Sequence, residues 1–214
     1  MTLCSRRAFT ALLAGALALS ACERDPEKGP LRPKSHGYRA HVTVKDHGKV
    51  VSEFEIAVRG DRFRKEPVKG QRGPVLIQDL SSRKAVELDP EAKTFREVPF
   101  VPVDTILPSH PLSPGFSYFE EARRRGVTEY ARESDTIYAG HVCWLSRYED
   151  RPGEEQSPTT TYWAAPDLDL LVIRVDREQR KDGVLVLDAS TQLTNVRIQA
   201  LPSLFQVPKG YAKR

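Results

Sequence analysis

Residues 38–58 read YRAHVTVKDHGKVVSEFEIAV, and their period is two. Tyr38, Ala40, Val42 and Val44 alternate with Arg39, His41, Thr43 and Lys45. Successive strand side chains point to opposite faces, so this is the pattern of a half-buried strand. Asp46-His47-Gly48 supplies turn residues, after which Val50, Phe54, Ile56 and Val58 form the inner face of a second strand. Arg59-Gly60-Asp61 turns the chain again into Arg62-Phe63-Arg64-Lys65-Glu66. Short runs at Val75–Gln78, Lys84–Leu88 and Thr94–Val98 continue the rhythm, with Ser81-Ser82 and Asp89-Pro90-Glu91 between them. Connections this short cannot make parallel crossovers, so the runs predict an antiparallel meander.

Further along, Pro99, Pro102, Pro108, Pro111 and Pro114 crowd one segment and exclude both a central strand and a helix there. A helix is expected from Phe116 to Arg125, stopped by Gly126. Phe116 and Phe119 share one face, and Glu120–Arg124 and Glu121–Arg125 are favourable pairs four residues apart. Strand-like runs return at Val142–Tyr148, Thr159–Trp163, Leu170–Val175 and from Val184 through Val196 and Ile198. The apolar phase slips from odd (Leu185, Leu187, Leu193) to even (Val196, Ile198), which predicts a bulge or bend between Leu193 and Val196.

The amino terminus is an address. Arg6 and Arg7 precede Ala8–Ala21, a largely apolar run of about 21 Å as a helix, too short for a ~30 Å hydrocarbon core. It is the h-region of a signal peptide. Leu19-Ser20-Ala21-Cys22 resembles a bacterial lipobox, with cleavage between Ala21 and Cys22 and lipidation of Cys22, a palmitate-type acyl anchor in the membrane. Ser5-Arg6-Arg7-Ala8-Phe9 resembles a twin-arginine export signal, although Thr10 and Ala11 depart from it and a plain positive n-region is the alternative. Glu23 stands where inner-membrane retention would use Asp, which points to the outer membrane with the domain facing the periplasm. Residues 22–37 then form a lipidated, charged, Pro- and Gly-containing flexible tether, and residues 38–214 form the β domain.

Without residues 1–21 the chain has 193 residues, enough for one domain. The hydrophobic content, 39% over the full chain and lower once the apolar leader is removed, supports a thin core, favouring a sheet wrapped around one inner face over a large multilayer enzyme. Losing Arg6 and Arg7 lowers the net charge from +4 to +2, and the charges are interspersed, so no nucleic-acid partner is expected. Cys4 leaves with the leader and Cys22 carries lipid, so Cys143 has no partner for a disulfide. It is either a packed core thiol or a reactive or ligating thiol beside His141. His36, His41, His47, His110 and His141 form no close ligand pair, and no metal or cofactor is expected. No nucleophile elbow, phosphate loop or Cys-x-x-Cys is present, and no pair of carboxylates is singled out. The chain has no candidate catalytic residue and is read as a binding protein, not an enzyme.

The order of parts resembles the LolA/LolB-like superfamily of lipoprotein carriers and receptors, and is most similar to its uncharacterised outer-membrane lipoproteins. The resemblance lies in Val58–Arg64 (VRGDRFR), Asp79-Leu80, Val86–Pro90 (VELDP), Lys93-Thr94-Phe95, Gly140–Cys143 (GHVC), Tyr162–Leu168 (YWAAPDL) and Leu204–Tyr211 (LFQVPKGY). It implies an incompletely closed antiparallel barrel with a helical lid, enclosing an apolar cavity for acyl chains or a lipidated polypeptide. Phe54, Ile56, Phe63, Phe95, Phe116, Phe119 and Trp163 are the candidate cavity residues; the alternative is that they simply fill a core. A structural or sensory envelope protein with no small ligand is the other reading.

Overall fold

The computed structural model describes residues 37–108, 110, 133–149 and 157–214. The expected helix 116–125, with Phe116 and Phe119, lies outside these residues, as do Arg6, Arg7, Ala21 and Cys22. Six strands form the first half: β1 Tyr38–Asp46, β2 Lys49–Arg59, β3 Arg62–Glu66, β4 Val75–Asp79, β5 Lys84–Asp89 and β6 Thr94–Val98. The second half holds β7 Glu133–Tyr138, β8 His141–Glu149, β9 Thr159–Ala165, β10 Leu171–Lys181 and β11 Val184–Arg197, followed by β12 Ala212–Lys213.

All twelve strands join one sheet in the order β12-β6-β5-β4-β3-β2-β1-β11-β10-β9-β8-β7. The two meanders meet where β1 pairs antiparallel with β11, and β12 adds to β6 in parallel. The ends of the order, β12 and β7, do not pair, so the architecture is an open, mainly β sheet: an incomplete barrel.

Alternation assigns the faces of the first half. Phe54, Ile56 and Val58 of β2, with Tyr38, Ala40 and Val42 of β1 and Phe63 of β3, are buried in one cluster. Fully burying side chains of this size stabilises by roughly 1.5–3 kcal/mol each. Ala57, one residue out of phase, belongs with Val75, Ile77 and Leu88 to a cluster on the opposite face. An open sheet with two apolar faces needs cover on both. The carboxyl-terminal tail covers the second through a 3-10 turn at Pro202–Phe205, whose Phe205 is buried there. Arg59 Nη1 donates to the Ala200 carbonyl at 2.8 Å, and Arg64 Nη1 donates to that of Leu204 at 2.9 Å, fixing the tail.

Register shifts bend the second half, and two of them set which residues it buries. Arg39 pairs with Arg197 but His41 pairs with Thr194, so β11 holds one extra residue there, and Asn195 has φ +51°. This is the predicted irregularity between Leu193 and Val196. A second shift lies at Val172/Arg174 of β10, where Val172 and Val175 join one cluster and Ile173 another.

The proline segment departs from expectation. Between Pro102 and Pro108 the chain makes a single helical turn, α1 Val103–Ile106, which fits because no proline lies inside it. Leu107 caps it and is fully buried in the cluster containing Phe54 and Phe63. Gly37, at the entry to β1, has φ +64°, and a Cβ there would collide with the Val58 carbonyl oxygen, so only glycine fits.

Candidate functional site

The described residues of the expected cavity fall into three environments. Phe54, Ile56 and Phe63 are fully buried and packed together beneath Leu107. Lys65, which pairs with Ile56 across β2 and β3, holds its Nζ 4.4 Å from the centre of the Phe54 ring. It has no carboxylate partner among the described residues, and partial burial lowers its pKa. The apolar cluster therefore ends at a half-buried cation with no carboxylate partner among the described residues.

Phe95 departs from the expectation. It pairs with Leu88 on the opposite face and packs with the cluster that Phe205 covers. Phe54 and Phe95 cannot line the same side of the sheet.

Trp163 lies at the edge of the first cluster in a polar cage. Its Nε1 donates to Asp176 Oδ2 at 3.1 Å, the Arg174 guanidinium stands 4.6 Å over its ring, and Tyr138 meets it edge-on at 5.9 Å. Arg174 Nε donates to Asp176 Oδ1 at 2.9 Å, which holds the guanidinium in place. Burial raises the Tyr138 pKa, while the nearby Arg174 charge opposes that rise. An open cleft of about 550 Å³ runs beside this group, lined by Leu145, Arg147, Thr161, Trp163, Arg174 and Asp176 among others. Two further open clefts, of about 490 and 340 Å³, border β4–β6 and the tail. Charged and hydroxyl side chains mix with apolar ones in all three, and none is lined by Phe54, Ile56 or Phe63.

Cys143 is buried and free. Its thiol points to the His141 carbonyl at 3.5 Å, whereas the His141 ring pairs through Nδ1 with Asp167 Oδ2 at 2.6 Å. Burial raises the thiol pKa, the opposite of an activated nucleophile. His41 lies between Glu53 and Glu55, and His47 beside Asp46. Among the described residues, no three His, Cys, Asp or Glu side chains are grouped to hold a metal.

Sequence reasoning missed His110. It is buried, with the Val172 backbone as a polar neighbour but no well-formed hydrogen bond to either ring nitrogen among the described residues. Burial lowers its pKa from 6.5 to about 4, against a smaller opposing effect of the Val172 backbone. Its proline-rich context carries no periodic signal that could have shown the burial. Tyr38 Oη is likewise buried without a partner.

No protein-family model matches this chain, and no curated protein does. Among solved structures it is similar to MucB in the Pseudomonas aeruginosa MucA/MucB complex, with a TM-score of 0.51 and 13% identity over 84% of this chain. MucB alone gives 0.50 and 14% over the same share. The Mycobacterium tuberculosis lipoprotein LppX gives 0.34 and 12%, over 82% of this chain and 91% of its own. The chain spans little more than half of MucB, 57% and 59% of those two chains. At these identities the MucB likeness shows the fold alone.

Proposed function

We propose that the chain is a bacterial envelope lipoprotein that binds a lipid or lipidated polypeptide against the apolar face of its open sheet. In this reading a twin-arginine-like leader exports it, an acylated Cys22 anchors it in the outer membrane, and the domain faces the periplasm. Its role is binding, not catalysis.

The observation behind the ligand class is Lys65 over Phe54. A half-buried cation with no carboxylate partner among the described residues, at the margin of a large apolar cluster, matches an anionic amphiphile, whose chain is apolar and whose head is charged. Tyr38 Oη, buried without a hydrogen-bond partner among the described residues, adds unused hydrogen-bonding capacity in the interior. Organic extraction of the purified protein followed by mass spectrometry tests for carried lipid. Titration with a fluorescent fatty acid tests the site, where Lys65→Gln is expected to weaken binding roughly tenfold, the cost of one charge-assisted contact. Absence of both carried lipid and probe binding rejects this reading.

The second reading is an interaction protein with no small ligand. Complete packing of Phe54, Ile56 and Phe63 favours it, because a filled core leaves no room for an acyl chain. MucB, with which the chain shares its fold, has been solved in complex with MucA, which supports a protein partner here.

A further inference from the structure

Two hairpins turn at the same end of the sheet. Asp46, the last residue of β1, pairs with Ala189, and the His47 N–H donates to the Asp188 carbonyl at 2.6 Å beside the β1–β2 turn. β11 begins five residues earlier than Ala189, at Val184, so Val184-Leu185-Val186-Leu187 project past the end of β1 with only β10 alongside. The β10–β11 hairpin therefore stands above the rim by roughly 13 Å at ~3.3 Å per residue. Its tip and the neighbouring turn carry four of the exposed large apolar side chains: Val184 at 63%, Val186 at 45%, Val50 at 53% and Val51 at 60%. Leu185 and Leu187, on the other face of the projecting strand, are only half-buried.

Lys45, Lys49, Arg180 and Lys181 surround these valines, and none forms an ion pair among the described residues. Asp46, Glu178, Asp182 and Asp188 lie in the same region, so the rim has little net charge and its apolar tips dominate. Exposed aliphatic tips with long cationic side chains behind them match the boundary between hydrocarbon and phosphate, where the cations reach back to the headgroups.

We infer that this rim, Val50-Val51 with Val184–Leu187, dips into the surface of the bilayer that holds the anchor. The inference rests on the reading of Cys22 as acylated. Chain length permits it: the fifteen residues between Cys22 and Tyr38 span up to about 50 Å. The nine-residue β1, which separates the tether's entry from the rim, is only about 30 Å long. The domain can therefore lie with its rim on the membrane that carries its own anchor.

The test uses the full chain, reconstituted in phosphatidylethanolamine–phosphatidylglycerol vesicles, with an environment-sensitive dye on Val184→Cys. Cys143 is buried and an acylated Cys22 has no free thiol, so the dye goes to the introduced cysteine. Ile137→Cys is the control: Ile137 is exposed and sits at the far end of the sheet, since β8 runs from His141 up to Glu149, and Glu149 pairs through Thr159 with Glu178 near the rim. Rim contact is expected to blue-shift the dye at 184 and expose it to quenching by spin-labelled lipid, with neither effect at 137. Adding Val186→Asp is expected to reverse the blue shift if the native side chains, not the dye, hold the rim in lipid. Equal quenching at both sites, or a dye at 184 that stays in water, overturns the inference. Mass spectrometry of the same sample reports acylation separately. If Cys22 proves unmodified, the anchor reading fails, and Val184→Cys and Ile137→Cys proteins that also carry Cys4→Ser and Cys22→Ser, labelled and added to preformed vesicles, decide the rim by the same quenching pattern.

Discussion

Gln78 and Val101 exchange two hydrogen bonds: Gln78 Nε2 donates to the Val101 carbonyl at 3.1 Å, and the Val101 N–H donates to Gln78 Oε1 at 3.0 Å. A fully buried amide thus serves the backbone of the proline segment as a neighbouring strand would, where the prolines deny it a ladder. Gln78→Leu leaves both backbone groups unpartnered and is expected to cost about 2–3 kcal/mol. Gln78→Glu sets an acceptor against the Val101 carbonyl and an ionisable group in a fully buried site, so its loss at neutral pH should be at least as large. Urea unfolding of the three proteins checks the order.

Phe63 and Phe95 should respond differently to truncation. Phe63 is fully buried among Phe54, Ile56 and Val58, so Phe63→Ala is expected to cost about 3–5 kcal/mol. Phe95 is half-exposed beneath the tail, and Phe95→Ala should cost clearly less. Equal losses would mean that Phe95 is packed as tightly as Phe63.

His110 predicts an acid-sensitive fold. Its pKa is 6.5 when free and about 4 in the folded chain, so between these values the unfolded state binds more protons. The stability contributed by the buried neutral ring is complete above pH 6.5, falls as pH drops towards 4, and changes no further below that. The total is on the order of 3 kcal/mol. His110→Leu should remove this slope, leaving the remaining acid dependence to other groups. Unfolding midpoints measured from pH 7 to pH 4 give the comparison.

Cys143 should resist alkylation in the folded protein and react on unfolding, because the thiol is buried and its pKa is raised. Maleimide labelling with and without urea measures this. Prompt labelling in native buffer would show that the region around β8 opens.

Cys22→Ser should abolish fatty-acid labelling and leave an uncleaved precursor, since processing at a lipobox acts on the modified thiol. Each buried methylene adds ~0.8 kcal/mol to attachment and a single chain holds only marginally, so multiple acylation is what makes the anchor stable. Metabolic labelling with a fatty acid reads the outcome, and label retained by the variant would place the modification elsewhere.

Much of the strand order in the first half was legible because a half-buried strand has to alternate. Tyr38–Val44 and Phe54–Val58 announce their inner faces by period two, and the slip from Leu193 to Val196 announces the bulge at Asn195. Period two says which residues share a face, but not what covers it. Phe95 sits in phase with Leu88, and only the arrival of Phe205, 110 residues further along the chain, turns that face into a second core. The junction of β1 with β11, the burial of Leu107 and His110 in a proline-rich stretch, and the juxtaposition of two hairpin tips at one rim are likewise non-local. Local alternation is written into each strand by its own residues. Pairing between distant strands and the choice of what each apolar face meets arise only when the whole chain has found its lowest free energy.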